Sequence, residues 1–379
     1  MNVPNSLPVA AEMTNLPQQL PRSSLTSQLL IARWIVGAIL GTLVIAATSP
    51  LFVRSYLPRE FNRGVWTLPA GATYRWRSEG YAATHIGPHG MPGRTSLDSA
   101  RPTDHRIAIW GDSQAEGVCV DDADKIFAAV ASISDGRLQA FPLARSGDDL
   151  ADWIGQFEWA QSQLGITDHV LVIAELSDLH DIDASPEPPP GHWSQWGAAN
   201  LPAFVLHAVR GLTTSPDGST RRLRFAPRWG DDSPPDEDQD RPPTAMPVPG
   251  DEATTTRAAV PAGWDRILAS IQSAASGSVT LVYCPRSPHV MGGRIVTADA
   301  GDQRFAALRD AAAHTDITII DTRPALSASA MSGQWPHGFA NGQIGTGHLN
   351  AFGNRIVAEA IVRRFPEART GTASQGGAE

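Results

Sequence analysis

The chain has 379 residues, 42% of them hydrophobic, enough for a sizeable core. Lys and Arg number 30 against 39 Asp and Glu, a net charge of −9, which argues against the clustered positive charge of a nucleic-acid grip. Two cysteines, Cys119 and Cys284, exclude a disulfide-dense scaffold and a four-cysteine zinc site, and leave one bridge open in an oxidising compartment.

Residues 1–27 are polar, contain proline and show no apolar period, so a disordered tail is expected up to about residue 33. Residues 34–53 then run for twenty positions without a charge. At about 1.5 Å per residue such a helix spans the roughly 30 Å hydrocarbon core of a bilayer. A cleaved signal peptide is the alternative, but the apolar run exceeds its usual length and a long polar tail precedes it. Gly37 and Gly41 form a G-x-x-x-G pair that would allow two such helices to pack. Residues 54–105 form a lead-in, and 106–366 read as the main domain.

That domain alternates strands with helices. Strands are expected at 106–110, 139–144, 169–174, 278–284 and 317–321. Helices are expected at 114–131, 149–164, 302–314 and 350–365, the last with Phe352, Ile356, Val357, Ala360 and Ile361 at helical spacing. This rhythm predicts an α/β fold with a parallel sheet covered on both faces. Residues 184–261 interrupt it with the runs PEPPPG and DDSPPDEDQDRPP, in which proline removes donors and acids repel. They read as an insertion, partly disordered, with a short helix at 201–212. Residues 367–379 read as a disordered tail. Without tails, anchor and insertion, roughly 240 residues remain, which suits one domain.

In open α/β sheets ligands collect beyond the carboxyl ends of the strands. Ser113 follows the first strand in Gly111-Asp112-Ser113, where a hydroxyl is exposed and helix N–H groups can hold an oxyanion. Ser113-x-x-Glu116 also reads as a capping box, with Ser113 as N-cap. Asp112 is expected to support the turn and the helix start. His348, in Gly345-Thr346-Gly347-His348-Leu349-Asn350, sits before the last helix and could point outward as a general base. A serine after the first strand and a histidine before the last helix suggest a nucleophile–base pair. Asp178, His180, Asp181 and Asp183 are close enough in sequence to suggest a cation, yet such loops are more often solvated, and no metal is expected. Trp193, Trp196, Trp229, Trp264 and Trp335 are candidates either for flat sugar platforms or for packing.

These blocks resemble the SGNH (GDSL-like) hydrolase superfamily. Gly111-Asp112-Ser113 matches the nucleophile block, and His348-Leu349-Asn350-x-x-Gly353 the final histidine block. The segment from Thr84 to Met91 looks like membrane-anchored bacterial members. The resemblance covers roughly residues 80–182 and 262–365. It implies a flavodoxin-like three-layer sandwich and acyl-ester chemistry without a cofactor. The substrate would be an ester of cell-envelope or exported carbohydrate. It also implies an oxyanion hole of the Ser113 and Gly147 N–H groups with Ser177. Flanking arginines do not settle membrane orientation (Arg22 and Arg33 before the span, Arg54, Arg59 and Arg63 after it), so the resemblance alone suggests a periplasmic domain. Two positions depart from the family. Ser177 stands where an oxyanion-binding asparagine is usual, and Gly345 where the catalytic aspartate is usual. The expectation is therefore a Ser113–His348 dyad, or an acid recruited from elsewhere such as the insertion. The alternative is a non-catalytic envelope protein that binds glycan.

Overall fold

The computed structural model describes residues 23–97, 105–180, 189–213 and 263–366. Two compact units result, Met1–Thr48 and Ser49–Glu379. In the first, α1 (Ser23–Thr48) leaves its apolar side chains exposed from Leu29 to Ile45. Residues 23–33, expected in the tail, are helical because Leu25, Leu29, Leu30 and Ile31 carry the apolar character towards the N-terminus. The stretch long and apolar enough to cross a membrane is Ser27–Leu51. Its α-helix stops at Thr48, just ahead of Pro50, since proline removes a donor and disfavours helical backbone before it.

The second unit opens with two small antiparallel hairpins, β1 (Glu60–Asn62) with β2 (Val65–Thr67) and β3 (Thr73–Arg75) with β4 (Ala83–His85). There follow β5 (His105–Gly111), α2 (Ser113–Glu116), α3 (Ile126–Ile133), β6 (Leu138–Pro142), α4 (Leu150–Ile154), α5 (Phe157–Leu164) and β7 (Asp168–Ile173). Next come α6 (His192–Asn200), α7 (Ala203–Thr213), α8 (Trp264–Ala274), β8 (Val279–Tyr283), β9 (His289–Met291) and β10 (Arg294–Val296). The chain closes with α9 (Asp302–Ala312), β11 (Thr318–Asp321), α10 (Arg323–Met331) and α11 (Ala351–Arg364). Five strands form one parallel sheet in the order β11-β8-β7-β5-β6. The first strand of that sheet thus lies between the second and third, as in flavodoxin-like folds, and the switch of winding direction falls at β5 and β7.

Alternation along the strands builds a core on each face. Ala108, Trp110, Leu171 and Leu281 pack with α4, α5, α8 and α9. Ile107, Ile109, Val170, Val172 and Val282 pack with α3, α10 and α11. Trp110 and Trp153 are fully buried, and truncating either to alanine costs about 3–5 kcal/mol.

Several expected elements break. The helix expected at 114–131 becomes α2 and α3, because Gly117 adopts a left-handed φ of 63° and ends the first turn. The helix at 149–164 becomes α4 and α5, parted at Gly155 and Gln156. Phe352, placed by periodicity on the core face of α11, is exposed, while Val357 and Ile361 are buried. Cys119 and Cys284 are both free and buried, so no bridge joins them. Within the expected insertion, α6 and α7 are ordered. Trp229, Asp181, Asp183 and both expected disordered tails, apart from residues 23–33, lie outside the described residues.

Candidate active site

β5 ends at Gly111, whose φ of 149° and tight surroundings exclude a side chain; a Cβ would meet the Val172 carbonyl oxygen at 2.5 Å and Ala115 Cβ at 2.6 Å. Asp112, not Ser113, is the N-cap of α2, its carboxylate accepting from the Gln114 N–H at 2.9 Å. Burial holds the Asp112 carboxyl above its ordinary value, against the lowering effect of that bond. The capping box expected of Ser113 and Glu116 is absent. Glu116 instead accepts from the Ser146 N–H at 2.7 Å and from the Ser146 hydroxyl. The Ser113 hydroxyl is thereby left for another partner.

That partner is His348. Its Nε2 lies 3.0 Å from Ser113 Oγ, although 235 residues separate the two in sequence. A second link runs beside it, the Leu349 N–H donating to Gln114 Oε1 at 2.8 Å. The loop carrying His348 is braced from behind. Asn350 caps α11 through Oδ1 and donates its amide to the carbonyls of Trp335 at 2.7 Å and Gly338 at 3.1 Å. Gly338 N–H donates to the His348 carbonyl at 2.9 Å.

The carboxylate bonded to His348 is Glu79, which sequence reasoning missed. Its Oε2 lies 2.9 Å from His348 Nδ1 and accepts the His348 backbone N–H at 3.1 Å. A carboxylate can only accept, so Nδ1 carries the ring proton and Nε2 is left to accept from the Ser113 hydroxyl. Burial raises the Glu79 carboxyl, but the bonds and charge of His348 outweigh it, and the net shift is downward. The loop around Glu79 is fastened by Arg77, which donates to the carbonyls of Trp76, Tyr81 and Ala82 at 2.7, 3.1 and 2.9 Å. Gly80 N–H donates to Asn341 Oδ1 at 2.8 Å, and a Cβ on Gly80 would collide with the Cys119 carbonyl oxygen at 1.7 Å. Gly347 has a left-handed φ of 84°, which favours glycine, and a Cβ there would fall 2.8 Å from Glu79 Oε2 and push that carboxylate aside. The lead-in 54–105 holds four acids, Glu60, Glu79, Asp98 and Asp104, and nothing in their spacing singles out Glu79.

Gly345, where the resemblance would put the acid, has no room for one. Its φ is 79°, and a Cβ would meet Val290 Cγ2 at 2.7 Å and the Trp335 ring at 3.1 Å. Trp335 is thus a support of the histidine loop, and Trp264 a buried core residue. Trp193 and Trp196 stand exposed on α6, in edge contact at 6.1 Å.

Gly147 lies in the loop after β6 with a φ of 87°. Arg145 N–H donates to the Gly111 carbonyl at 3.1 Å, joining this loop to the end of β5. The lead-in holds it from outside, through Arg63 on the Leu143 carbonyl at 2.9 Å and Arg145 on the Trp66 carbonyl at 2.8 Å. Among the described residues no acceptor takes up the backbone N–H of Ser113 or Gly147. Ser177 sits in the turn Leu176–Asp178 and lines a different opening, shared with Thr346 and Gly347. Asp178 beside it is pushed up to about 7 by burial and by the charges of Asp112, Glu175 and Asp149. His180 pairs with Asp149 at 3.3 Å. Among the described residues one group has metal-ligand spacing, Glu79, Cys119 and His348, with ligand atoms within 4.8 Å of one another. Two of these are already bonded to each other, and burial pushes the Cys119 thiol up, which opposes ligation.

No protein-family model and no curated protein matches the chain. Solved structures similar to it include the lipase/acylhydrolase from Enterococcus faecalis, at 12% identity and a TM-score of 0.34, covering 70% of this chain and 97% of that one. A catalytic mutant of an acetylxylan esterase from Geobacillus stearothermophilus gives 13%, 0.34, 68% and 93%. A carbohydrate acetylesterase family member from Sinorhizobium meliloti gives 12%, 0.31, 70% and 98%. All three are named for ester or acyl hydrolysis; likeness at this level carries no argument about activity, which rests on the geometry.

Proposed function

We propose that this chain is a serine ester hydrolase or acyltransferase that uses Ser113, His348 and Glu79. The bonded series Glu79–His348–Ser113 carries the reading. Ser113 Oγ attacks the acyl carbonyl while His348 Nε2 takes its proton. Glu79 keeps the ring in the tautomer that can accept and stabilises the cation that forms. The N–H groups of Ser113 and Gly147 hold the oxyanion, and Ser177, which lines a different opening, stays outside this scheme. His348 then returns the proton to the leaving alcohol, and water or an acceptor hydroxyl resolves the acyl-enzyme. No cofactor enters this scheme.

The absent aspartate was one ground for a non-catalytic reading, and Glu79 removes it. The substrate class we propose is an acyl ester, acetyl in the first instance, of cell-envelope or exported carbohydrate. The apolar helix Ser27–Leu51 supports membrane anchoring, with the esterase-like unit in the periplasm. Incubation with p-nitrophenyl acetate and an acetylated glycan, beside Ser113→Ala, tests the activity. Turnover by the parent and none by the variant is expected; equal rates would reject the reading. An alkaline phosphatase fusion at the C-terminus is expected to be active, and an inactive one would reject the periplasmic placement.

A further inference from the structure

The two N–H groups assigned to the oxyanion, those of Ser113 and Gly147, belong to separate segments, and one side chain joins those segments. Glu116 is the last residue of α2, a single turn that begins with Ser113. The turn is closed by the Glu116 N–H on the Asp112 carbonyl at 3.0 Å and the Gly117 N–H on the Ser113 carbonyl at 3.2 Å. The buried Glu116 carboxylate reaches the next loop, accepting the Ser146 N–H at 2.7 Å and the Ser146 hydroxyl. Behind the turn, the buried Lys125 amine donates to the carbonyls of Glu116, at 3.3 Å, and Gly117. A cation thus satisfies the end of α2, where carbonyls run out of helical partners. Ser146 lines a pocket of about 600 Å³ together with Ser113 and His348.

Ser146 and Gly147 form the middle of a tight turn. The Asp148 N–H donates to the Arg145 carbonyl at 3.1 Å, and Gly147, third in the turn, has a φ of 87°, the pattern of a type II turn. The soft element of such a turn is its central peptide. Rotating the Ser146–Gly147 plane converts type II towards type I and turns the Gly147 N–H to the opposite side. A carboxylate that holds both the N–H and the hydroxyl of Ser146 fixes one end of that plane, and bonds to an ionised acceptor are the stronger kind. Resting on the esterase reading, we infer that Glu116 is a positioning residue of the oxyanion hole. It sets the Gly147 N–H relative to the Ser113 N–H, so one rigid turn carries the nucleophile at its start and the brace for the second donor at its end. Glu116 acts only through Ser146.

The test uses the full chain in detergent, p-nitrophenyl acetate as substrate, and phenyl trifluoromethyl ketone, whose adduct with the serine oxygen mimics the tetrahedral oxyanion. For Glu116→Ala, kcat should fall ~10²-fold with KM within about threefold, and ketone affinity should fall by a similar factor, the scale of one lost oxyanion donor. Ser146→Ala removes only the hydroxyl contact and should lower kcat and ketone affinity by about 3–10-fold. In the double variant the second change should add less than it does alone, because both act through one contact. Fully additive losses overturn the inference, as does a Glu116→Ala protein that melts earlier yet keeps the parent's kcat and ketone affinity. If Glu116→Ala does not fold, Ser146→Ala decides, and unchanged ketone affinity there rejects the inference. A parent with neither turnover nor ketone inhibition rejects the esterase reading and this inference together. An active parent that both variants match rejects the inference alone.

Discussion

Two regions meet at the site and contribute differently. The loops at the carboxyl ends of the parallel strands bring Ser113 and the Gly147 loop, and the turn before α11 brings His348. The lead-in, which adds nothing to the parallel sheet, brings Glu79, much of the pocket wall and the clamps on the Gly147 loop. In the proposed triad the acid comes from outside the topology that supplies nucleophile and base. What the histidine requires is an accepting oxygen at Nδ1, and any segment able to reach that point can provide it.

The hardest blow to the strand-end half is Ser113→Ala. A loss in kcat on the order of 10⁴–10⁶ is expected, together with loss of labelling by a serine-reactive fluorophosphonate. Labelling that persists would place the nucleophile elsewhere. The lead-in half is broken by Glu79→Gln, which is expected to lower kcat by about 10²–10⁴ with little change in melting temperature. Adding Gly345→Asp to that variant should not restore the rate, because a side chain at 345 meets Val290 and the Trp335 ring. Recovery of activity in the double variant would show that the lead-in is dispensable.

A smaller effect probes the joint between the two regions. Gly347→Ala puts a methyl group against Glu79 Oε2 at a backbone of φ 84°, and about 1–3 kcal/mol of stability should be lost, with a lower kcat. Denaturant unfolding and steady-state rates measure both. A stable variant at full rate would mean that the Glu79 contact is not held there.

The smallest effect lies in the scaffold alone. His169, stacked on Phe157 at 3.8 Å, is pushed down by burial from 6.5 to about 4. The unfolded chain therefore takes up a proton between these values that the folded chain refuses, so stability falls as pH drops from 6.5 to 4. Thermal unfolding across that range should show the fall, shallower in His169→Gln. An identical slope in the variant would show that His169 titrates freely in the fold.

Periodicity and turn residues were sufficient to find the five parallel strands, since a buried strand advertises itself as a short apolar run. They also singled out Ser113 and His348, because strand-end position and flanking glycines are local signals. Other features were invisible for local reasons. Gly117 and Gly155 cut helices that an apolar count ran together. Asp112 took the cap that pattern assigned to Ser113, a choice between adjacent residues decided by backbone dihedrals.

Glu79 was out of reach for a different reason. A bond between residues 269 positions apart has no periodicity and no fixed spacing, and one glutamate in a loop looks like any solvated charge. The sequence by itself determined the alternation of strands and helices, the apolar span and the two ends of the nucleophile–base pair, all written in neighbouring residues. Only the tertiary structure decided which carboxylate orients His348 and which one holds the Gly147 loop, because both depend on how separate segments close over the sheet.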